Sequence, residues 1–374
     1  MAPDADDTLA YLALSVEGIN LAAQVTYAEV EDNDRLIDRA VVVLDDPHGA
    51  IADLPREGQA VRVDMGWKSE HAVLFEGAIT RVVTEAFGVE ARRVTLVAFD
   101  PSYQLMQGVP VTKDHTGAVS SIVKAIVGKY PLPIGQIELD PDPTIPATAP
   151  LRQTNKRDWV FIQDLAARFA ARAFVEYNDG AAKFYFVAES RLLQGDKMGA
   201  LTYSGGPGQL VEFRYQRVAA SASPLPAATA VDPATGDPVD SPAPAPPAPE
   251  EPPAPDSVHN AVLDGLGGGL GDDYTSAIAV TAKAKATPDR QRPQTFVRGL
   301  PSDPVLAAQA AIQDPTRAFG LHGEGLAVGT IHLRAKGKVG IAGVANWAEG
   351  DWYVRQVHHI ISESNYWTRF IVTR

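Results

Sequence analysis

The stretch Val61-Arg-Val-Asp-Met65 alternates apolar and charged side chains, so its three apolar residues share one face of an extended strand. The same two-residue period recurs through residues 8–105. Within that range, Thr80–Glu85 and Val89–Phe99 predict a hairpin. An antiparallel sheet with one buried face shows this alternation. The N-terminal part of the chain is therefore predicted to be a β-module.

The next part of the chain changes to a helical period. Apolar residues recur at i, i+3, i+4, i+7 and i+8 in Val119–Val127, and Gly128 is a natural stop. Trp159–Phe169 carries a second apolar stripe, with Asn155 and Asp158 at its start in an arrangement like a capping box. These patterns predict two amphipathic helices.

A hairpin should follow the helices, because two β-prone runs flank Asn178-Asp-Gly180, a strong turn signal. Its strands are predicted at Ala173–Tyr177 and Lys183–Val187. The later predicted elements are a strand at Ala277–Ala284, a helix opening at Asp303-Pro304, and strands at Thr330–Lys336, Trp352–Ile361 and Tyr366–Thr373.

Residues 219–275 interrupt this succession of elements. They hold twelve prolines, nine acidic residues and no lysine or arginine. Proline removes backbone donors, and a charged segment this poor in apolar residues cannot bury enough surface to fold alone. We predict an extended or disordered linker, or an insertion looped out of a domain.

The charge is uneven along a chain whose formal net charge is −13. Residues 276–374 are mildly basic and the remainder is acidic, which suits an electrostatically paired assembly surface or reflects ordinary surface variation. A basic stripe with interleaved aromatic residues is missing from the sequence, so nucleic-acid binding is not predicted.

The two ends of the chain echo each other. Gly58 precedes a strand and is followed 19 residues later by Glu76-Gly77, whereas Gly329 is followed 21 residues later by Glu349-Gly350. Each Glu-Gly pair precedes two further predicted strands. Either one small antiparallel module is used twice, or short strands with glycine turns simply recur as in other β-proteins.

The predicted fold is mainly β with an α+β middle part. Two small antiparallel β-barrel modules flank a helix-plus-hairpin region, interrupted by the disordered proline-rich segment. The predicted boundaries are a first β-barrel module at 1–105, the helix and hairpin region at 106–218, the acidic linker or insertion at 219–275, and a second β-barrel module at 276–374.

The sequence contains no recognisable motif for catalysis, cofactor binding or metal binding. The chain has no cysteine, and His358-His359 point to opposite faces of a strand, so they cannot share one metal ion. The glycine run at 265–271 departs from the dinucleotide-binding pattern. We assign no catalytic, cofactor-binding or metal-ligating residue and expect no enzyme. Four tryptophans either fill cores or line a sugar cleft: Trp159, Trp347, Trp352 and Trp367.

Two segments resemble the phage late control protein D family. One is Gln153-Thr-Asn-Lys-Arg-Asp-Trp159, ahead of a helix and a hairpin. The other combines a glycine turn at 323–330 with Gly350-Asp-Trp-Tyr-Val-Arg-Gln-Val-His358 and Tyr366-Trp-Thr-Arg-Phe370. The positions that carry the resemblance are Gln153, Asn155, Asp158, Trp159, Gly350, Tyr353, His358, Tyr366, Thr368 and Phe370.

The resemblance implies a structural baseplate hub, similar to the N-terminal part of type VI secretion spike proteins. It implies a homotrimer whose paired β-barrels form a pseudo-six-fold ring between a hexameric inner tube and a separate trimeric spike. The implied partners are the chain itself, the tube protein, the spike protein and other baseplate components.

The expected location follows from the same resemblance. The acidic N-terminus is unlike a secretory signal, and apolar runs are too short to span a bilayer. We expect synthesis in the cytoplasm and assembly in the tail baseplate of a virion or phage-tail-like particle. The alternatives are a cell-envelope or carbohydrate-binding β-protein, and a peptidoglycan hydrolase associated with a tail tip.

Overall fold

The computed structural model describes residues 9–87, 91–140, 142–203, 209–217, 228–231, 238–241, 321–362 and 365–374. The strand predicted at Ala277–Ala284 and the helix predicted from Asp303 lie outside these ranges. Of the predicted linker, the structure describes two short strands that pair antiparallel. Among the described residues, none of the helices combines the length and apolar character needed to cross a membrane.

The elements are numbered in chain order. The strands are β1 (Ala10–Val16), β2 (Ile19–Asn20), β3 (Val25–Asn33), β4 (Arg39–Asp45), β5 (Ala60–Trp67), β6 (Glu70–Phe87), β7 (Ala91–Phe99), β8 (Val111–His115), β9 (Gly117–Ala118), β10 (Ile134–Glu138), β11 (Thr144–Ile145), β12 (Leu151–Lys156), β13 (Ala171–Asn178), β14 (Ala181–Ala188), β15 (Lys197–Thr202), β16 (Leu210–Arg217), β17 (Ala228–Val231), β18 (Pro238–Ser241), β19 (Leu321–Val328), β20 (Lys338–Ala342), β21 (Gly350–Ser362) and β22 (Asn365–Thr373). The helices are α1 (Tyr103–Gln107), α2 (Val119–Val127), α3 (Asp158–Arg168) and α4 (Glu189–Gln194).

One large sheet organises the molecule, in the order β16-β19-β22-β21-β3-β4-β7-β6-β5-β1-β2, with β20 paired to β21 and β15 paired to β20. The prediction of a mainly β fold with an α+β middle part is confirmed. The two expected barrels are, among the described strands, two parts of one open sheet. They merge because the 13-residue strand β21 pairs with β20 at its start and with β3 along its second half.

The sheet contains the same five-strand arrangement twice. We call β3-β4-β7-β6-β5 the N-terminal unit and β16-β19-β22-β21-β20 the C-terminal unit. Irregularities in the ladders fall at matching places: β6 has one between Ile79 and Arg81, and β21 has one between Val354 and Gln356. The first strands of the two units match as well, because β3 and β16 each have a ladder irregularity near their start.

Backbone hydrogen bonds confirm that the two units are equivalent. They also change which residues match between the units, relative to the match predicted from the sequence. Gly58 N–H donates to Ile79 O at 2.8 Å, and Lys336 N–H donates to Val354 O at 2.9 Å. Lys336, with φ +69°, therefore occupies the place of Gly58, with φ +89°. The sequence comparison had paired Gly58 with Gly329, which is seven residues too early.

The loop before β20 explains this shift. The strand predicted at Thr330–Lys336 is wrong, because these residues turn inward and bury Leu333, Ala335 and Lys336. The segment expected to be a glycine turn is instead the strand β19. Gly325 suits that strand because a Cβ there would lie 2.4 Å from the ring of Phe370.

Three hydrophobic cores fill the fold. One lies in the N-terminal unit with β1, one in the C-terminal unit with β15, and one where α2 and α3 pack against the hairpin of β13 and β14.

Helix α2 has the predicted bounds, and α3 begins and ends one residue before its prediction. The predicted turn is present, with positive φ angles at Asp179 and Gly180.

Candidate functional site

The strands β3 and β21 join the two units. They run antiparallel in a continuous register from Gln356 opposite Asn33 to Ser362 opposite Tyr27. On the outer face, His358 Nδ1 lies 2.6 Å from Glu29 Oε1. The hydrogen bond from His358 holds the pKa of Glu29 below its usual value despite partial burial. The two units are thus linked by both backbone and side-chain contacts.

A buried group of charges lies on the inner side of this joint. We call Asp32, Asp38, Glu176, Arg334 and Lys336 the junction cluster. The Lys336 ammonium contacts Asp32, donates to Asp38 Oδ2 at 3.2 Å and donates to Glu176 Oε2 at 3.1 Å. Since these carboxylates come from the N-terminal unit and from β13, one side chain ties together three parts of the fold.

Arg334 completes the junction cluster. Its Nε donates to Asp32 Oδ2 at 2.9 Å, and its other end contacts Glu176. Asp32 is 1% exposed and also accepts the backbone N–H of Ala335. Buried carboxylates of this kind require charged partners and hydrogen bonds to offset their desolvation. The cluster supplies both.

The surroundings shift the pKa values of the two aspartates of the cluster in opposite directions. Burial alone would raise the pKa of Asp32, but Lys336 and Arg334 outweigh it and hold that pKa below its ordinary value. Burial raises the pKa of Asp38 well above normal, and the nearby carboxylates of Asp32 and Asp100 raise it further. Lys336, although buried, has a raised pKa because Asp32 and its neighbours stabilise the ammonium.

Three carboxylates of the cluster, on Asp32, Asp38 and Glu176, lie within 4.8 Å of one another and could in principle hold a metal ion. The Lys336 ammonium already contacts all three. A cation supplied by the protein therefore takes the place that a metal would need. The arrangement serves to neutralise charge and to lock elements together.

Asp100 extends the cluster and gives it a pH dependence. Its Oδ2 accepts the backbone N–H of Asp38 at 2.8 Å, and burial raises its pKa from 3.8 to about 6. The folded protein holds this proton more tightly than the unfolded chain does, so the free energy of unfolding should fall as the pH rises from 3.8 to about 6. Asp32, whose pKa is lowered, acts oppositely and loses its contribution as the pH falls below 3.8.

Urea unfolding at pH values from 4 to 7, for wild type and Asp100→Asn, measures this effect. We expect the decline between about pH 4 and 6 to be shallower in the variant but still present, because burial also raises the pKa of Asp38 and Asp34, which continue to contribute to it. An unchanged profile would show that Asp100 does not titrate in this range.

A second group of buried charges links the hairpin of β13 and β14 to the region where β3 and β21 meet. Arg172 on β13 contacts Glu189 and lies 3.4 Å from Asp34 Oδ2. All three side chains are almost fully buried. Burial raises the pKa of Asp34 in spite of the opposing charge of Arg172. The hairpin is therefore held against the sheet by charge as well as by packing.

The middle signature residues meet at the start of α3. Gln153 is fully buried, and its Nε2 donates to Asp158 Oδ1 at 2.9 Å. Asp158 also accepts from Tyr130 and Lys129, and Trp159 packs in the core beneath. The expected capping box is wrong, because Asp158 turns inward to these partners and Asn155, at φ +48°, lies within β12 at the ladder irregularity between Gln153 and Lys156.

The C-terminal signature residues lie in a different place, along β21 and β22. Tyr366 OH pairs with His359 Nδ1 at 2.8 Å, and Thr368 Oγ1 accepts the Thr330 N–H at 3.0 Å. The other members are Gly350, Tyr353 and Phe370 within the C-terminal unit, and His358 on the outer face of the joint. The structure thus distributes the ten positions over two regions and does not assemble them into one pocket.

Of the four tryptophans that raised the possibility of a sugar cleft, Trp159 and Trp352 are packed inside the protein, whereas Trp347 and Trp367 are half-buried. Trp352 is 0% exposed, with its Nε1–H bonded to Ala348 O at 2.8 Å and its ring edge-on to Phe213. Trp159 is 4% exposed. Neither offers a ring face to a saccharide.

The junction cluster was not found from the sequence. Asp32 and Lys336 are 304 positions apart, so composition and spacing carry no sign of their contact. One local signal did exist. Asp32 has the same parity as Ala28 and Val30 on β3, which are buried, and a carboxylate on the inward face of a strand demands a partner.

Sequence comparison does not identify relatives of this chain. No protein-family profile matches it, and no curated protein matches it. The comparison of structures is more informative.

Three solved structures share the fold over almost all of this chain. The tail protein from Neisseria meningitidis MC58 aligns with a TM-score of 0.64 at 11% identity, over 98% of this chain and 96% of that chain. The 43 kDa tail protein of prophage MuSo2 from Shewanella oneidensis gives 0.65 at 9% identity, over 98% of each chain. An Escherichia coli component of the type VI secretion system, similar to bacteriophage T4 tail proteins, gives 0.58 at 9%, over 96% and 76%.

These likenesses define the fold as that of phage tail proteins. This fold agrees with the resemblance to the late control protein D family. At these identities the likeness concerns the fold.

Proposed function

We propose that the protein is a structural hub in the baseplate of a contractile phage tail or phage-tail-like injection system, and not an enzyme. The observation that carries the proposal is the presence of two equivalent five-strand units in one chain, joined head to tail. A head-to-tail contact between equivalent units is the kind that generates rings.

The internal contact sets the pattern of the ring. The C-terminal unit presents β21 to β3 of the N-terminal unit, so each unit uses opposite edges. Repetition of that contact between chains continues the ring, and three chains would present six equivalent units. Such a ring would match a hexameric inner tube on one side and a trimeric spike on the other.

The junction cluster suits this role. A ring with matched symmetry requires the two units of each chain to keep a fixed relation. Lys336 and Arg334 provide that constraint by binding carboxylates from separate elements inside the protein. Partners of the assembly would then be further copies of this chain, the tube protein, the spike protein and other baseplate components, in a virion or phage-tail-like particle.

Co-expression with a tube protein and a spike protein from the same genome, followed by native mass spectrometry of the purified complex, tests the proposal. We expect three copies of this chain with six tube subunits and one spike trimer. A chain that remains monomeric and joins neither protein would overturn the proposal. Peptidoglycan hydrolysis by the same preparation that persists after contaminants are removed would instead favour a tail-tip hydrolase.

A further inference from the structure

We propose that the second half of β6 in one copy pairs antiparallel with β16 of the next copy, with Glu85 opposite Arg214 of that copy. This inference rests on the proposed ring and specifies its contact between chains. The occupant of each edge is therefore a second copy of this chain.

Each of these strands has an edge without a partner in the described part of the chain. β6 pairs with β5 only as far as Ala78, whereas its ladder with β7 continues to Phe87. The stretch Ile79–Phe87 is thus bonded through a ladder on one side alone. β16 is paired along its length with β19, at the end of the sheet order. Exposed strand edges are templates for pairing with another chain.

The equivalence of the units identifies which edges belong together. β6 corresponds to β21, because each strand has a ladder irregularity at the matching place. It lies at Thr80 in β6 and at Arg355 in β21. β16 corresponds to β3 by the same criterion. Because β21 pairs with β3 inside the chain, β6 should pair with β16 between chains.

The register can be transferred residue by residue. Ile360 lies opposite Glu29 in the internal ladder. Counting from the shared irregularities, Glu85 takes the place of Ile360, and Arg214 takes the place of Glu29. The transferred ladder therefore sets Glu85 of one copy opposite Arg214 of the next.

Charge supports this register over its neighbours. Opposite charges directly across a ladder stabilise it, whereas like charges destabilise it. Glu85 and Arg214 are exposed, and each lies opposite an opposite charge in its own chain, Arg93 and Glu324. The contact between copies would join these two in-chain pairs into one row of alternating charges. A shift of two residues keeps the same faces but sets Glu85 opposite Glu212 or Gln216. A shift of one residue would turn every side chain to the other face.

The pairing would also cover apolar surface. Val83 is 37% exposed and Phe87 is 49% exposed on the free part of β6. A strand laid along this edge would shield both side chains from water, as hydrophobic burial favours. The free half of β6 therefore combines open backbone groups, exposed apolar residues and a charge that matches the partner.

Disulfide trapping tests the register directly, because the chain has no cysteine of its own. The variant Glu85→Cys/Arg214→Cys should crosslink between copies on mild oxidation, since directly opposed residues lie within disulfide reach. The matched control is Glu85→Cys/Glu212→Cys, whose cysteines would sit two positions apart. Both are expressed with the tube and spike proteins, and native mass spectrometry and the melting temperature confirm assembly and folding.

We expect covalent dimers and trimers on non-reducing gels for the first pair, at least tenfold faster than for the control. If the ring assembles but the control crosslinks faster, or neither pair crosslinks, this interface is wrong while the hub proposal stands. If no ring assembles in wild type, the hub proposal itself fails.

Discussion

Replacement of Lys336 by methionine is expected to lower the free energy of unfolding by about 3–5 kcal/mol, because it leaves the carboxylates of the junction cluster buried without their ammonium partner. Lys336 is 5% exposed and contacts Asp32, Asp38 and Glu176. Methionine keeps most of the volume of the side chain, so the loss reports on charge. Chemical denaturation at pH 7 measures it.

The matched control is Lys183→Met, which removes a surface pair with Asp179 and should change stability by less than about 1 kcal/mol. Acid should partly rescue Lys336→Met, since protonation removes the uncompensated charges. A loss no larger than that of the control would show that the junction cluster does not hold the units together.

Replacement of Trp352 by alanine should cost about 3–5 kcal/mol, since it empties a large part of the core of the C-terminal unit. Trp352 is fully buried against Phe213, and its indole N–H bonds to Ala348 O. Thermal and urea unfolding would show the loss as a lower melting temperature and a lower midpoint.

Trp352→Phe is the control, and it should recover a large part of that stability because a ring still fills the space. The same variants separate the hub from the carbohydrate-binding alternative. Glycan binding by wild type that vanishes in Trp352→Ala, with unfolding unchanged, would contradict the buried position and favour a sugar site.

Much of the secondary structure could be predicted because its causes are local. The apolar stripe of α2 and the Asn178-Asp-Gly180 turn each depend on residues within a few positions of one another. The β19 strand could not be found in this way. Gly323 and Gly325 break its alternation, because the rings of Phe213 and Phe370 fill the space that their side chains would take.

The site was harder to predict than the fold. Lys336 lies in a loop that reads as a strand, and its partners lie as far as 304 residues away. The repeat was detected, although Gly58 was matched to Gly329 because glycine identity was used as the guide. The structure matches Gly58 with Lys336, where a positive φ is tolerated by a residue whose side chain is held by three carboxylates.

Electron cryomicroscopy of the assembled ring would show directly whether each chain supplies two of its units. We expect three chains that form six similar five-strand units around one axis, with β21 against β3 inside each chain. A ring built from six chains, or one in which the two units of a chain lie in different rings, would contradict the proposed hub.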